Sequence, residues 1–173
     1  MEDINLTQEF FQSLTHGELK IDRIIELIKA FLEENPNADY SLVIGTDSHE
    51  KSGPKNGSKT INLVTAILVH RVGFGGKYFW RRKEFSNIHS LREKIYAETM
   101  NSLNFAIQFV PMLRKILNGN SPKYNLEIHI DVGEHGDTRD MIKEVVGMVT
   151  GNGFVAKTKP DAYGASYVAD KHT

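Results

Sequence analysis

The sequence predicts a single α/β domain with a mixed five-stranded sheet, a three-strand antiparallel meander plus two helix-linked strands. Helices cover its faces, and an extra helix precedes it. Three observations lead there. Strand-like runs rich in Val, Ile, Thr and Leu follow one another closely between residues 40 and 84. Helical periodicity then alternates with short apolar runs to the end of the chain. A length of 173 residues fits one domain with a substantial core and no need of staples.

The elements follow in order. Ile21, Ile24, Ile25, Leu27, Ile28 and Phe31 recur at helical spacing between Lys20 and Glu34, and Asn35-Pro36 ends that helix. Residues 1–36 thus form an N-terminal helical extension, and residues 40–173 the core of the same domain. The Ile-rich stripe has to be buried, either on its own domain or as a docking element. Tyr40 to His49 is the first strand, and the Gly, Pro and Asn-Gly of Lys51 to Lys59 mark a loop or long hairpin tip. Thr60 to Val72 is the second strand, Gly73-Phe-Gly-Gly76 a turn, and Lys77 to Glu84 the third strand. A long helix runs from about Ile88 to Leu117, with a kink or break expected at Pro111, and Asn118 to Pro122 closes it. Tyr124 to Asp131 is the fourth strand. Thr138 to Thr150 is a helix stopped by Gly151-Asn-Gly153, Phe154 to Lys159 the fifth strand, and Asp161 onward a last helix.

Composition narrows the function classes. Cysteine is absent, which removes disulfides, thiolate metal sites and a cysteine nucleophile. No run of 18 apolar residues exists, and the acidic start MEDINLTQEFF has no signal core, so a cytoplasmic protein without membrane contact is expected. The net charge is -1, so any attraction to nucleic acid has to be local. Arg81-Arg82-Lys83, Arg92 with Lys94, Arg114-Lys115, and Lys157 with Lys159 are the basic candidates; each also reads as an ordinary solvated face.

Three carboxylates stand where apolar residues are expected. Asp47 follows Leu-Val-Ile-Gly-Thr, although alone it reads equally as the start of a turn. Glu98 lies in the helical stripe Leu91, Ile95, Glu98, Ser102, Phe105, Phe109, with an alternative in which it escapes along the helix edge to Lys94. Asp131 ends Leu126-Glu-Ile-His-Ile-Asp, on the face of Glu127 and His129, or else opens a turn before Val132-Gly133. If the first and fourth strands are parallel neighbours, Asp47 and Asp131 project near one another while Glu98 descends from the covering helix. Three like charges so close raise one another's pKa, and a divalent cation relieves the conflict; all-oxygen ligands favour Mg2+ or Mn2+.

Gly45-Thr-Asp-Ser48, Glu98 in the long helix, Ile128-His-Ile-Asp131, Gly153-Phe154, Lys159-Pro160 and Ala165-Ser-Tyr-Val-Ala-Asp170 resemble the YkuK-type ribonuclease H-like proteins. The resemblance covers about Leu42 to Asp170 and rests on the ordered set of motifs rather than on any single one. It implies a ribonuclease H-like fold, with Asp47, Glu98 and Asp131 as metal ligands and a fourth acidic or His residue near the last helix. Asp170, after Val168-Ala169, matches that fourth position, while Asp161 at the start of the same helix is the alternative and also reads as an N-cap. Lys159, Ser48 and His129 are candidate substrate contacts.

Other motifs fall away. His49, His129 and His135 bracket the carboxylates, but no His-Glu-x-x-His pair supports zinc. Gly73-Phe-Gly-Gly76 lacks the Gly-Lys-Ser/Thr of a phosphate loop. Asp47, Ser48 and His49 are adjacent on a strand, so alternation prevents a triad. Two function hypotheses remain. One is a divalent-metal-dependent nuclease that cleaves RNA, DNA or hybrid with two ions about 3.5–4 Å apart. The other is a non-catalytic module that binds nucleic acid or protein.

Overall fold

The structure, a computed structural model, describes residues 5–51, 59–119, 122–133 and 138–173. Its sheet is mixed and has seven strands: β1 (Phe10–Ser13), β2 (Gly17–Lys20), β3 (Tyr40–Lys51), β4 (Lys59–Arg71), β5 (Gly75–Ile88), β6 (Tyr124–His129) and β7 (Val155–Lys157). The order across the sheet is β2-β1-β5-β4-β3-β6-β7. β3, β4 and β5 form the antiparallel meander, and β6 and β7 add in parallel on the β3 side.

The expected five-stranded sheet is therefore corrected to seven. The two additional strands, β1 and β2, make an antiparallel hairpin inside what was expected to be a purely helical extension, and Gln12 pairs with Trp80 of β5. Four-residue strands are too short to register as a period: β1 alternates exposed and buried through only Phe10, Phe11, Gln12 and Ser13.

Three helices complete the fold: α1 (Ile21–Glu33), α2 (Leu91–Leu117) and α3 (Ile142–Gly151). The Ile-rich stripe of α1 is buried in the domain's own core. Ser90 caps α2, its hydroxyl accepting from the Glu93 N–H at 3.1 Å, and Asn118 ends it in the left-handed conformation with φ 48°. The helix continues through Pro111 without a break. Pro111 and Ile107 both face solvent, so the carbonyl that loses its donor at the proline remains open to water. The chain does not close with a regular α-helix: a π-helical segment, Gly164–Ala169, passes into a 3-10 turn, Asp170–His172. Among the described residues no helix is long and apolar enough to cross a membrane.

Strand alternation sorts the central sheet into two faces. On the α2 side the pairing runs Thr46–Thr65–Arg81 across β3, β4 and β5. These positions are polar yet buried, and α2 answers them in kind. Ser102 donates to Thr46 at 2.7 Å, Thr46 and Thr65 hydroxyls lie 3.1 Å apart, and the Asn101 amide donates to Thr65. On the opposite face Val64, Ala66 and Trp80 pack against Ala169. The His172 ring stacks on Trp80 with centroids 3.7 Å apart, and its carbonyl accepts from Arg82 Nε at 2.7 Å.

Arg81 was a candidate for a surface patch, but it is only 3% exposed. Its guanidinium lies between the rings of Phe11 and Phe105 and pairs with Glu9. Burial lowers its pKa to about 10, so the charge is costly there and Glu9 offsets it. Glu9→Ala should therefore destabilise the fold by about 3 kcal/mol in urea titration, because it strands a buried cation. The double variant Glu9→Ala/Arg81→Met should recover most of that loss, and equal stability of the two variants would refute the assignment.

Candidate functional site

The parallel ladder between β3 and β6 runs from Tyr40–Tyr124 to Gly45–His129, whereas β3 continues to Lys51. Beyond Gly45 the β3 edge opens on a notch. Asp47 stands two residues past the last pair on β3, and Asp131 two past it on the chain leaving β6. The expected parallel neighbourhood of the two strands is thus present, and both carboxylates lie just past the carboxyl end of their parallel pairing, the side on which open α/β sheets gather ligands.

Glu98 reaches the same notch from α2. It is 6% exposed, and Ile95, Ser102, Phe105 and Phe109 of its stripe are buried with it, while Leu91 at the end of the stripe is exposed. The Ser48 hydroxyl donates to Glu98 Oε1 at 2.6 Å, and Lys94 Nζ stands 3.9 Å from the same oxygen. Both the inward and the edge-seeking arrangements expected for Glu98 hold at once: the carboxylate is buried and keeps its lysine one turn back.

Ser48 points toward α2, so alternation puts Asp47 with Val43 and Gly45 on the opposite face, under the C-terminal segment. Asp47 and Glu98 therefore approach the open edge from the two sides of the sheet, near enough for Asp47 to raise the Glu98 pKa. Burial raises the Asp47 pKa to about 6. The Ser48 backbone N–H and Lys94 oppose the shift, and Asp131 and Asp170 add to it. Burial likewise raises Glu98 to about 8 against the Ser48 hydrogen bond and Lys94, with smaller contributions from Asp47 and Asp131. Desolvation exceeds like-charge repulsion at both residues, the reverse of the emphasis expected from the sequence.

The two candidates for a fourth acid separate in space. Asp170 lies close enough to Asp47 to raise its pKa. Asp161 instead lines a cavity of about 710 Å³ with Gly133 and the run from Ala156 to Pro160. Lys159 joins the two regions: it lines the cavity, and its Nζ stands 3.0 Å from Asp131 Oδ1. Among the described residues no group of three His, Asp or Glu side chains is disposed, as it stands, to hold a metal ion. His135, expected beside the carboxylates, lies outside the described residues.

His129 serves to seat the C-terminal segment. Its Nδ1 accepts from the Gly164 N–H at 2.9 Å, so Nε2 carries the proton and donates to Glu127 at 3.0 Å. Burial lowers its pKa, which keeps the ring neutral and the Gly164 contact intact. Gly164 has no room for a side chain: a Cβ there would overlap Val43 and come within 3.2 Å of His129 Nδ1. His49 is exposed and takes no part in this packing.

Lys94 takes the i,i+4 place beside Glu98 that the spacing offered, whereas Lys159, expected as a substrate contact, stands against Asp131. Sequence reasoning missed the hydroxyl row of Thr46, Thr65 and Ser102, whose signal is polar residues at inward positions.

Comparisons with known proteins agree with this architecture. A family model described as ribonuclease H-like matches residues 23–173. The uncharacterised protein YkuK of Bacillus subtilis (strain 168) is 33% identical over 171 residues, covering 94% of this chain and 96% of the relative. No solved structure matches the chain.

The raised acid pKa values fix a sign for pH dependence. Protonated Glu98 and Asp47 are favoured in the fold, so their contribution is complete below their ordinary carboxyl values. It is lost as pH rises through about 6 for Asp47 and about 8 for Glu98. Thermal melts in chelator should show Tm falling between pH 5 and pH 9, and Glu98→Gln should flatten the upper part of that fall. A Tm that rises over this range would contradict the burial of these acids.

Proposed function

Because the chain belongs to the ribonuclease H-like family, we propose that it is a divalent-metal-dependent nuclease acting on phosphodiester bonds at the notch beside β3. The observation that carries this reading is the convergence of acids on one open sheet edge. Asp47 and Glu98 arrive from opposite faces, both with pKa values raised by burial, and feel the charges of Asp131 and, at Asp47, Asp170. Acids with pKa values raised by burial cluster at functional sites.

The donor chemistry fits Mg2+ or Mn2+. Asp47, Glu98, Asp131 and Asp170 offer oxygen donors, and the buried His129 is engaged at both ring nitrogens. Asp47, Glu98, Asp131 and Asp170 are the residues that would hold the metal, with Asp161 as the alternative to Asp170. When bound, the metal supplies activation of water and neutralisation of the leaving oxygen. The remaining work belongs to the chain. Ser48 fixes the orientation of Glu98, and the ammonium groups of Lys94 and Lys159 hold the acids together before loading. His129 and Gly164 pin the segment that leads to Asp170, whose charge acts on Asp47.

A second reading has an observation in its favour. With Lys94 on Glu98 and Lys159 on Asp131, two of the acids already have partners within the chain, as in a non-catalytic module that binds nucleic acid or protein. The nuclease reading predicts that the wild type, in manganese or magnesium, cleaves at least one of single-stranded RNA, single-stranded DNA, RNA–DNA hybrid or a four-way junction. Asp47→Asn should lose that cleavage while remaining folded. No cleavage of any member by folded wild type would move the assignment to the module.

Metal should also register without turnover. Saturating Mn2+ should stabilise the wild type by about 2–3 kcal/mol at a hundredfold excess over Kd. The shift should be larger at pH 8 than at pH 6, because protons compete for Asp47 and Glu98 at the lower pH. Equal shifts in Asp47→Asn and wild type would count against these ligands.

A further inference from the structure

We propose that His172 is a positioning residue for the fourth acid: stacked on Trp80 and held by Arg82, it fastens the segment Gly164–Thr173 so that Asp170 is held ready for metal at the notch. The proposal rests on the metal-dependent reading of that notch and deepens it, since it names what keeps the fourth ligand in place.

Asp170 needs such support because its own element is short and irregular. It is an exposed residue that opens a three-residue 3-10 turn, Asp170–His172, directly after the six-residue π-helical segment. Neither form is stable without tertiary contacts, so anchors on its two sides set the place of Asp170. Upstream, the Gly164 N–H donates to His129, and Ala169 is buried with Val64 and Ala66 of β4 and Trp80 of β5. Downstream, the Thr173 N–H and hydroxyl both donate to the Asp170 carbonyl, at 3.1 and 2.8 Å, which closes the turn on itself. His172 ties that closed turn to the sheet.

It does so three times, each time on β5. Its ring lies on Trp80, with centroids 3.7 Å apart and planes 7° from parallel. Its Nε2 stands 3.2 Å from the Tyr78 hydroxyl, and its carbonyl accepts from Arg82 Nε at 2.7 Å. The strand register gives the Arg82 contact its meaning. Asp47 on β3 pairs with Val64 on β4, and Val64 with Arg82 on β5, so Arg82 and Asp47 stand in one row across the sheet. Two strand spacings, about 10 Å, separate their backbones. A segment fixed to that row at Arg82 carries Asp170 two residues earlier, near enough to Asp47 for its charge to raise the Asp47 pKa. The contact also supplies its own probe. Trp80 is the sequence's single tryptophan, and it is 8% exposed beneath the His172 ring and Ala169.

The test takes two measurements on the full chain: Trp80 emission with acrylamide quenching in chelator, and Mn2+ affinity from the paramagnetic resonance signal of the free ion. His172→Ala should shift Trp80 emission to the red, raise its quenching, and weaken Mn2+ binding about tenfold, as loss of an outer positioning partner does. His172→Phe, which keeps a stacking ring, should restore both. Arg82→Lys keeps the charge but not the Nε donor, and should weaken Mn2+ binding in the same direction; it carries the test if His172→Ala does not fold. Asp170→Asn should also weaken Mn2+ binding, and adding His172→Ala to it should bring no further loss, because the two act through one carboxylate. Undiminished Mn2+ affinity in folded His172→Ala, or failing that in Arg82→Lys, overturns the proposal. So does a His172→Ala loss that persists in full on the Asp170→Asn background, which marks His172 as a packing residue alone. The two readings fail distinguishably. No Mn2+ binding by folded wild type sinks the metal-dependent reading and this proposal with it, whereas Mn2+ binding indifferent to both His172 and Asp170 overturns the proposal and leaves the notch reading standing.

Discussion

Parallel pairing of β3 with β6 stops at Gly45–His129 while β3 runs on for six more residues, and most of the site's geometry follows from that mismatch. Two strands that share a direction and a register deliver the residues just beyond their last pair to the same place. The chain leaving β6 is then retained rather than released. Ile130 donates to the Lys157 carbonyl and Val132 accepts from the Lys159 N–H, so Asp131 cannot drift and Lys159 is delivered to it. A longer β6 would have filled the notch with backbone and left Glu98 and Asp47 on opposite sides of a continuous sheet.

The electrostatics of the notch are those of burial first and mutual repulsion second. Removing Glu98 from water costs more than placing it near Asp47 and Asp131, and the chain offsets that cost with one hydroxyl and one lysine. Such an arrangement is stable when protonated or when neutralised by a cation, and poor when bare and ionised. The acid cluster and the buried Arg81–Glu9 pair are opposite solutions to one problem. Arg81 is matched internally by Glu9 and aromatic faces, whereas the acids are matched in part and at an open edge.

Much of this was legible in the sequence because it depends on period. The 4, 3, 4, 3, 4 spacing that carries Glu98 inward, the strand ending in Asp131 and the three-strand meander all reflect repeated contact with a core. What stayed hidden lacked a repeat. The β1–β2 hairpin is too short to show one, and Arg81 was indistinguishable from its exposed neighbour Arg82 until Phe11 and Phe105 enclosed it. The choice between Asp170 and Asp161 turns on the path of the chain after Lys159. That path is set by a hydrogen bond from Gly164 to His129 and by a π-helical segment, neither of which leaves a compositional trace.

The hydroxyl row beneath α2 has a mechanical meaning as well. An interface of methyl groups alone allows a helix to slip by part of a turn at modest cost, since one apolar contact replaces another. Ser102 on Thr46, Thr46 on Thr65 and Asn101 on Thr65 admit no such exchange, because each displaced donor would face hydrocarbon. The row therefore works as an index pin. It fixes the position of α2 along the sheet four residues from Glu98, so thermal loosening of the surrounding apolar core should blur the packing before it moves the carboxylate.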